Sequence, residues 1–274
     1  WYIAPKEYPA DTDKVKNMLD NIENLTLTAL VSESKNYNLY DLSGEVKINV
    51  KAWQGDRLKR DIDVGKTASS FRHTFVKPAG DEGVFHARGN FRNTFDTTVD
   101  DLRDKTILTY TPSDIQQIQI TQAKQSFMLN RTQPPEKEEP PAADKEESAS
   151  PPAQKTIWQT PDGRAGDEVA VNQLLNLLSN LRCEKFIEDR GKEDFTAPLI
   201  TIQLKGSQEH SLSIFAKTEE KEMEQPAISS ASKYAFLLTD SEAEGIMKDA
   251  SNILKEPDEK TSEPEKPESK PENK

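Results

Sequence analysis

The sequence has 274 residues, 34% apolar and 31% charged, with 36 Lys+Arg against 48 Asp+Glu and a single cysteine. A net charge of −12 argues against a nucleic-acid binder that works by phosphate neutralisation, and one cysteine excludes a disulfide scaffold or a Cys-based structural zinc site. The length allows one large domain or two small ones, and no apolar run approaches the ~20 residues of a membrane-spanning helix.

The chain opens on Trp1, Tyr2 and Tyr8 around Lys6, and a start at Trp1 without methionine reads as a processed product or a trimmed piece. Aromatic rings beside a lysine suit the head-group level of a membrane, and they suit the start of an ordinary strand equally. Val15, Met18, Leu19, Ile22 and Leu25 follow i, i+3, i+4, i+7, i+10 spacing, which places them on one face of an opening helix. Val46 to Val50 alternates like a half-buried strand, Gly55 marks a turn, and a second alternating run passes Ile62 and Val64. Phe71–Val76, Val84–Arg88, Ile115–Thr121 and Ser126–Leu129 are further strand candidates. Among them, Thr98 with Asp101 starts a closing helix that is expected to end in Ile107-Leu108.

Residues 133–156 read as an interdomain linker and 255–274 as a disordered acidic tail. Their prolines fix φ, their charges stay hydrated, and they contain no aromatic ring to bury. Residues 133–155 and 255–274 hold 10 of the 17 prolines, and the 231 residues outside them are about 39% apolar, enough for a core.

The second half repeats the first. Val171, Leu174, Leu175, Leu178 and Leu181 match the opening-helix set at an offset of 156, and so do Pro161 with Pro5 and Asp167 with Asp11. Trp158 lies 157 residues after Trp1. Leu199 to Leu204, Gly206 and Leu212/Ile214 repeat the hairpin, and Thr239 with Glu242 in capping-box spacing starts a helix ending in Ile253-Leu254. The implied architecture is α+β: two related modules from an internal duplication, at 1–132 and 157–254. Each is a mainly antiparallel sheet with an opening and a closing helix. Leu19 and Leu175 are then expected at equivalent core positions.

Motifs with chemical overtones do not assemble. Val64-Gly65-Lys66-Thr67 ends like a phosphate-binding loop, but Arg60 stands where that loop needs glycine. Ser32 with Lys35 and Ser230 with Lys233 fit a serine acyl-transferase pattern whose other elements are absent. His73 and His86 lie on neighbouring strand candidates, where a metal would also need Asp81 or Glu82. Cys183 lies beside Arg182 and Lys185, with His210 the only histidine in its half. No catalytic, cofactor-binding or metal-binding residue emerges, so neither enzyme nor cofactor is expected. Residues 57–92 carry 8 bases against 4 acids, among them Arg57 and Arg60. Within this run Arg72, Arg88 and Arg92 are the candidate contacts for an acidic protein partner or head group, and the plainer alternative is solvated strand faces paired with Asp61 and Asp63.

Gly65-Lys66 closing a polar strand, Val84-Phe85 on the next, and Leu102-Arg103-Asp104-Lys105 before Ile107-Leu108 resemble the motifs of the bacterial domain-of-unknown-function family 4340. The resemblance covers most of residues 10–254. The second half is the weaker copy, with Ile246-Met247-Lys248-Asp249 replacing the Leu-Arg-Asp-Lys step, so a role of Arg103 need not recur. It implies an N-terminal membrane anchor in the cytoplasmic membrane, an extracytoplasmic or periplasmic body, and association with ABC-type export or gliding-type transport components. It brings no catalytic residue. The expected function is an extracytoplasmic accessory or interaction module. The alternatives are a ligand-binding receptor with its site between the repeats, or an envelope-polymer hydrolase built on dispersed carboxylates.

Overall fold

The computed structural model describes residues 1–123, 125–132, 157–217 and 223–254. The expected linker at 133–156 and tail at 255–274 lie outside the described residues. The chain divides into two compact units, Trp1–Lys105 and Thr106–Lys274. Every strand pairing among the described residues is antiparallel.

The first unit runs β1 (Tyr2–Ile3), β2 (Tyr8–Pro9), α1 (Thr12–Glu23), β3 (Leu27–Ser32), β4 (Ile48–Gln54), β5 (Arg57–Thr67), β6 (His73–Pro78), β7 (Val84–Arg88), α2 (Phe91–Phe95) and α3 (Val99–Leu102). Asp11 starts α1 by accepting the Asp13 and Lys14 backbone N–H groups on its carboxylate, at 3.1 and 3.2 Å. The five longer strands form one sheet in the order β3-β7-β6-β5-β4. Their period-2 alternation sends Val50, Ile62, Val64, Val76 and Ala87 into a core with Phe91 of α2, and Ile22 and Leu25 pack against it. Gly65 fits here for a packing reason. A Cβ at this position would sit 2.1 Å from the Tyr40 carbonyl oxygen and 2.9 Å from Leu42 Cγ, so only glycine lets that segment lie against β5. The Gly-Lys step is a close-packed strand position, not a phosphate loop.

The second unit runs β8 (Thr106–Thr109), β9 (Gln117–Gln122), β10 (Gln125–Thr132), β11 (Ile157–Gln159), α4 (Glu168–Leu178), β12 (Asn180–Arg182), β13 (Lys185–Ile187), β14 (Ile200–Lys205), β15 (Glu209–Ile214), β16 (Glu224–Ser229), β17 (Ala235–Thr239) and α5 (Asp240–Ser251). Eight strands form a sheet ordered β11-β10-β9-β14-β15-β16-β17-β13. Its apolar face carries Ile118, Ile120, Ile200, Ile202, Leu212 and Ile214, which share one core with Val171, Leu174, Leu175 and Leu178 of α4 and with Ile246 and Ala250 of α5. Within this sheet the order β13-β17-β16-β15-β14 parallels β3-β7-β6-β5-β4 of the first unit strand for strand.

Four expectations are corrected. The boundary falls after Lys105 rather than at 132, because β9 pairs with β14 along its whole length, from Gln117↔Lys205 to Gln122↔Ile200. Ile107 and Leu108 belong to β8, not to a closing helix. The helix ends at Leu102, and Arg103 turns extended, which lets the Asp104 N–H reach the Pro9 carbonyl at 2.9 Å. Phe71 is outside β6: with φ of +57° it closes a turn onto the Ala68 carbonyl, and its side chain is 80% exposed. Leu19 is 40% exposed whereas Leu175 is 2% exposed, so the two are not equivalent core positions. The face of α1 that reaches the core is carried by Val15 and Ile22 instead.

That last difference gives a direct test by chemical denaturation. Leu175→Ala should cost about 2–5 kcal/mol, from lost transfer energy plus the cavity left behind. Leu19→Ala should stay within ~0.5 kcal/mol, as exposed substitutions do.

Candidate functional site

On the face of the first sheet opposite its apolar core, β6 and β7 carry a cluster of rings and arginines. Directly opposed residues share a face, and the register pairs Thr74 with Ala87, both buried, and His73 with Arg88 and Phe75 with His86 on the other side. Tyr40, Phe75, His86 and His73 form a continuous row of rings. Centroid separations are 4.8 Å for Tyr40–Phe75, 4.9 Å for Phe75–His86 and 5.1 Å for the stacked imidazoles of His86 and His73. Burial, and then the neighbouring His73, hold the His86 imidazole below its ordinary value of 6.5.

The three candidate arginines separate into two kinds. Arg72 and Arg88 lie at the open end of this ladder, where the Gly89 N–H donates to the Arg72 carbonyl at 2.9 Å, and both are exposed. Neither has an ion-pair partner among the described residues. Arg92 is half-buried on α2. Its Nε faces the Asp96 carboxylate at 3.3 Å and its Nη2 donates to the Val46 carbonyl at 2.9 Å, so it braces the unit from within. Three lysines further along are neutralised: Asp63 lies 3.2 Å from Lys47 and 3.9 Å from Lys77, and Asp61 lies 3.6 Å from Lys51. Arg57 and Arg60 stand apart, exposed at the β4–β5 hairpin.

Other chemically suggestive residues stay apart. Glu82 is engaged by Lys35, and the Asp81 carboxylate accepts the Gly83 N–H at 2.7 Å. Among the described residues no three His, Cys, Asp or Glu side chains converge as a metal site. Because Lys35 is on Glu82, it does not face Ser32, whose hydroxyl pairs with Ser34 at 2.8 Å. The Ser230 hydroxyl accepts the Ser211 N–H at 2.9 Å, and Lys233 lies over the Tyr234 ring. Cys183 is buried. His210 packs on Tyr110, whose hydroxyl donates to the Leu175 carbonyl at 2.9 Å and whose phenol is pushed up by burial.

Two features were not anticipated from the sequence. Arg103 is only 4% exposed, with its guanidinium 3.7 Å from the centroid of the Tyr8 ring. The second unit carries a polar cleft of about 460 Å³ lined by Gln117, Gln119, Gln203, Lys205, Glu209 and His210, together with Ser211 and Ser230. Alternation along β9 and β14 was the available signal for the cleft; for Arg103 there was none beyond its place in the Leu-Arg-Asp-Lys step.

The described residues thus define a two-unit α+β protein with antiparallel sheets. The chain matches the family described as "Domain of unknown function (DUF4340)" over residues 1–199 and belongs to it. Comparison with curated proteins and with solved structures gives no match. The residues that carried the resemblance have structural work in the first unit: Gly65 admits the Tyr40–Leu42 segment, and Arg103 stacks on Tyr8.

The His86 geometry predicts a pH response with a definite sign. Its folded value is lowered, so the stability it contributes is present above the unfolded value near 6.5 and is lost as the pH falls through the folded value. Imidazole titration by NMR should place the His86 midpoint below 6.5. His73→Asn should raise that midpoint by removing the neighbouring charge; an unmoved midpoint would show that the two rings do not couple.

Proposed function

We propose that this protein is a non-catalytic accessory module of an ABC-type transport system, held outside the cytoplasm by a membrane anchor, and that its two units arose by internal duplication. The observation that carries the interaction reading is the pair Arg72 and Arg88: two exposed guanidinium groups without ion-pair partners among the described residues, in a protein of net charge −12. Lys47, Lys51 and Lys77 of the same unit are matched by Asp61 and Asp63, whereas Arg72 and Arg88 stand together at the open end of the β6–β7 ladder, an arrangement suited to an acidic partner.

Tethering is supported by the start of the chain, where Trp1 and Tyr2 are 70% and 75% exposed beside Lys6, a combination suited to the membrane–water interface. Membership of the family adds weight through the anchored, extracytoplasmic character it implies. Duplication is supported by the parallel strand orders and by matching backbone contacts. Ala10 N–H donates to Trp1 and Gly166 N–H to Trp158, at 3.0 and 2.8 Å. Asp11 N–H donates to Leu102 and Asp167 N–H to Ile253, at 2.9 and 2.8 Å.

A second reading, a ligand-binding receptor, is favoured by the polar cleft of the second unit. Its volume of about 460 Å³ and its side-chain amides suit a small polar ligand.

Photo-cross-linking in cells from positions beside Arg72 and Arg88 tests the main reading. Adducts with membrane-embedded subunits of an ABC-type transporter are expected, and Arg72→Glu with Arg88→Glu should cut their yield about tenfold, equivalent to ~1.4 kcal/mol. Arg57→Glu with Arg60→Glu should leave the yield unchanged. Undiminished adducts in the Arg72/Arg88 variant would exclude this surface as the contact.

A further inference from the structure

The cross-strand geometry of β6 and β7 places two imidazoles next to the unmatched arginines. We infer that His73, His86 and Arg88 form a proton-dependent carboxylate-binding site, so that an acidic polypeptide binds this surface more tightly as the pH falls from neutral toward 5.5. The inference rests on the acidic-partner reading and adds to it which groups make the contact and how the contact is regulated.

His73 and Arg88 are directly opposed across the β6–β7 ladder, and the His73 and His86 rings stack at 5.1 Å on the same face. Three groups that are or become cationic therefore share one stretch of surface, with exposed Arg72 at its margin. Among the described residues no carboxylate pairs with His73, His86 or Arg88. On β6 the remaining outward side chains are Phe75, against His86, and Lys77, which faces Asp63 at 3.9 Å. On the other flank β3 is uncharged from Leu27 to Ser32, and Ala29 lies opposite His86. The covering segment brings Tyr40 onto Phe75, and the Tyr37 hydroxyl donates to the Glu82 carbonyl at 2.9 Å. The acids of the connecting turn, at the other end of the hairpin, are committed: Glu82 to Lys35, and Asp81 to the Gly83 N–H.

With no paired anion, protonating the His86 imidazole costs the free protein desolvation and repulsion from the neighbouring His73. That cost is the basis of the regulation. A carboxylate arriving from outside supplies the missing opposite charge, so binding and protonation reinforce one another: the partner raises the imidazole affinity for protons, and protons raise the affinity for the partner. A protonated imidazole offers an N–H donor, and Arg88 offers a planar fork of donors, which together match carboxylate oxygens. Ala29 leaves the β3 side of His86 open to an approaching side chain.

A fluorescent Glu/Ala-repeat peptide titrated into the full chain at low salt tests this at pH 7.5 and 5.5. Binding should tighten by about tenfold at the lower pH, corresponding to a one-unit rise in a histidine value on binding. Calorimetry in buffers of differing ionisation enthalpy should register proton uptake on binding at pH 6.5. His73→Asn with His86→Asn should bind with little dependence on pH, which also separates protein titration from peptide titration. Arg88→Gln should weaken binding at both pH values. In the unmodified protein, NMR should show both imidazole midpoints rising when peptide is added, a readout that needs no variant. Peptide binding that is equal at both pH values, or a pH gain that survives in the double Asn variant, would overturn the proton-dependent site while leaving the acidic-partner reading standing. Failure to bind at either pH would overturn both.

Discussion

In each unit the backbone N–H of the aspartate that caps the opening helix donates to a carbonyl near the close of the unit: Asp11 to Leu102 and Asp167 to Ile253. One aspartate thereby does two things. Its carboxylate accepts the N–H groups of the first helical turn, and its own N–H takes up a carbonyl that the closing segment would otherwise leave unpaired. Tying the start of this helix to the closing segment of its unit brings the helices together on one side of the sheet, where the apolar halves of the alternating strands need cover. In the first unit the tie is reinforced by Arg103 stacking on Tyr8 and by the Asp104 N–H on the Pro9 carbonyl.

Once the helices take the apolar face, the opposite face must carry whatever the intervening positions of each strand supply. In the first unit that face divides by charge matching. Toward β4 and β5, Asp61 and Asp63 balance Lys47, Lys51 and Lys77, and such exposed or half-buried pairs contribute little net energy while cancelling the field. Toward β7 the acids are taken up by Lys35 and by the Gly83 N–H, and the imidazoles and arginines are left without an opposing charge. The second unit distributes its polar face differently. Amides and hydroxyls bond across the strands, as in Gln117 to Asn130 at 2.9 Å and Thr201 with Ser213 at 3.0 Å, and its cleft holds the Lys205–Glu209 pair. Similar strand orders thus present a cationic surface in one case and a near-neutral one in the other.

Whatever depends on neighbours within about four residues was legible in the amino-acid order. The helix starts at Thr98 and Thr239 and the hairpins β4–β5 and β14–β15 follow from caps, turns and period-2 alternation, all local effects. The apolar set of α4 was legible for the same reason, and all four of its helical members are buried. The corresponding set on α1 misled at Leu19, because periodicity names a helix face but the extent of the surface covering it is a property of the partner elements. Arg72 and Arg88 were visible as a local basic excess, but Arg92 was not separable from them, since the Val46 carbonyl that binds it lies 46 residues away.

By itself the sequence determined the α+β class, the antiparallel hairpins, the repeated template, the family resemblance and a basic region in an acidic chain. Each of these is written in residue type and short spacing. Tertiary structure alone decided where one unit ends and the next begins, because β9 could join β14 only through a pairing that spans some 80 residues, and a sheet edge accepts any strand of suitable register. It alone also decided that His73 lies beside His86 and Arg88: which side chains share a face follows from strand register, and register is set by the whole sheet closing over its core rather than by the residues that end up in contact.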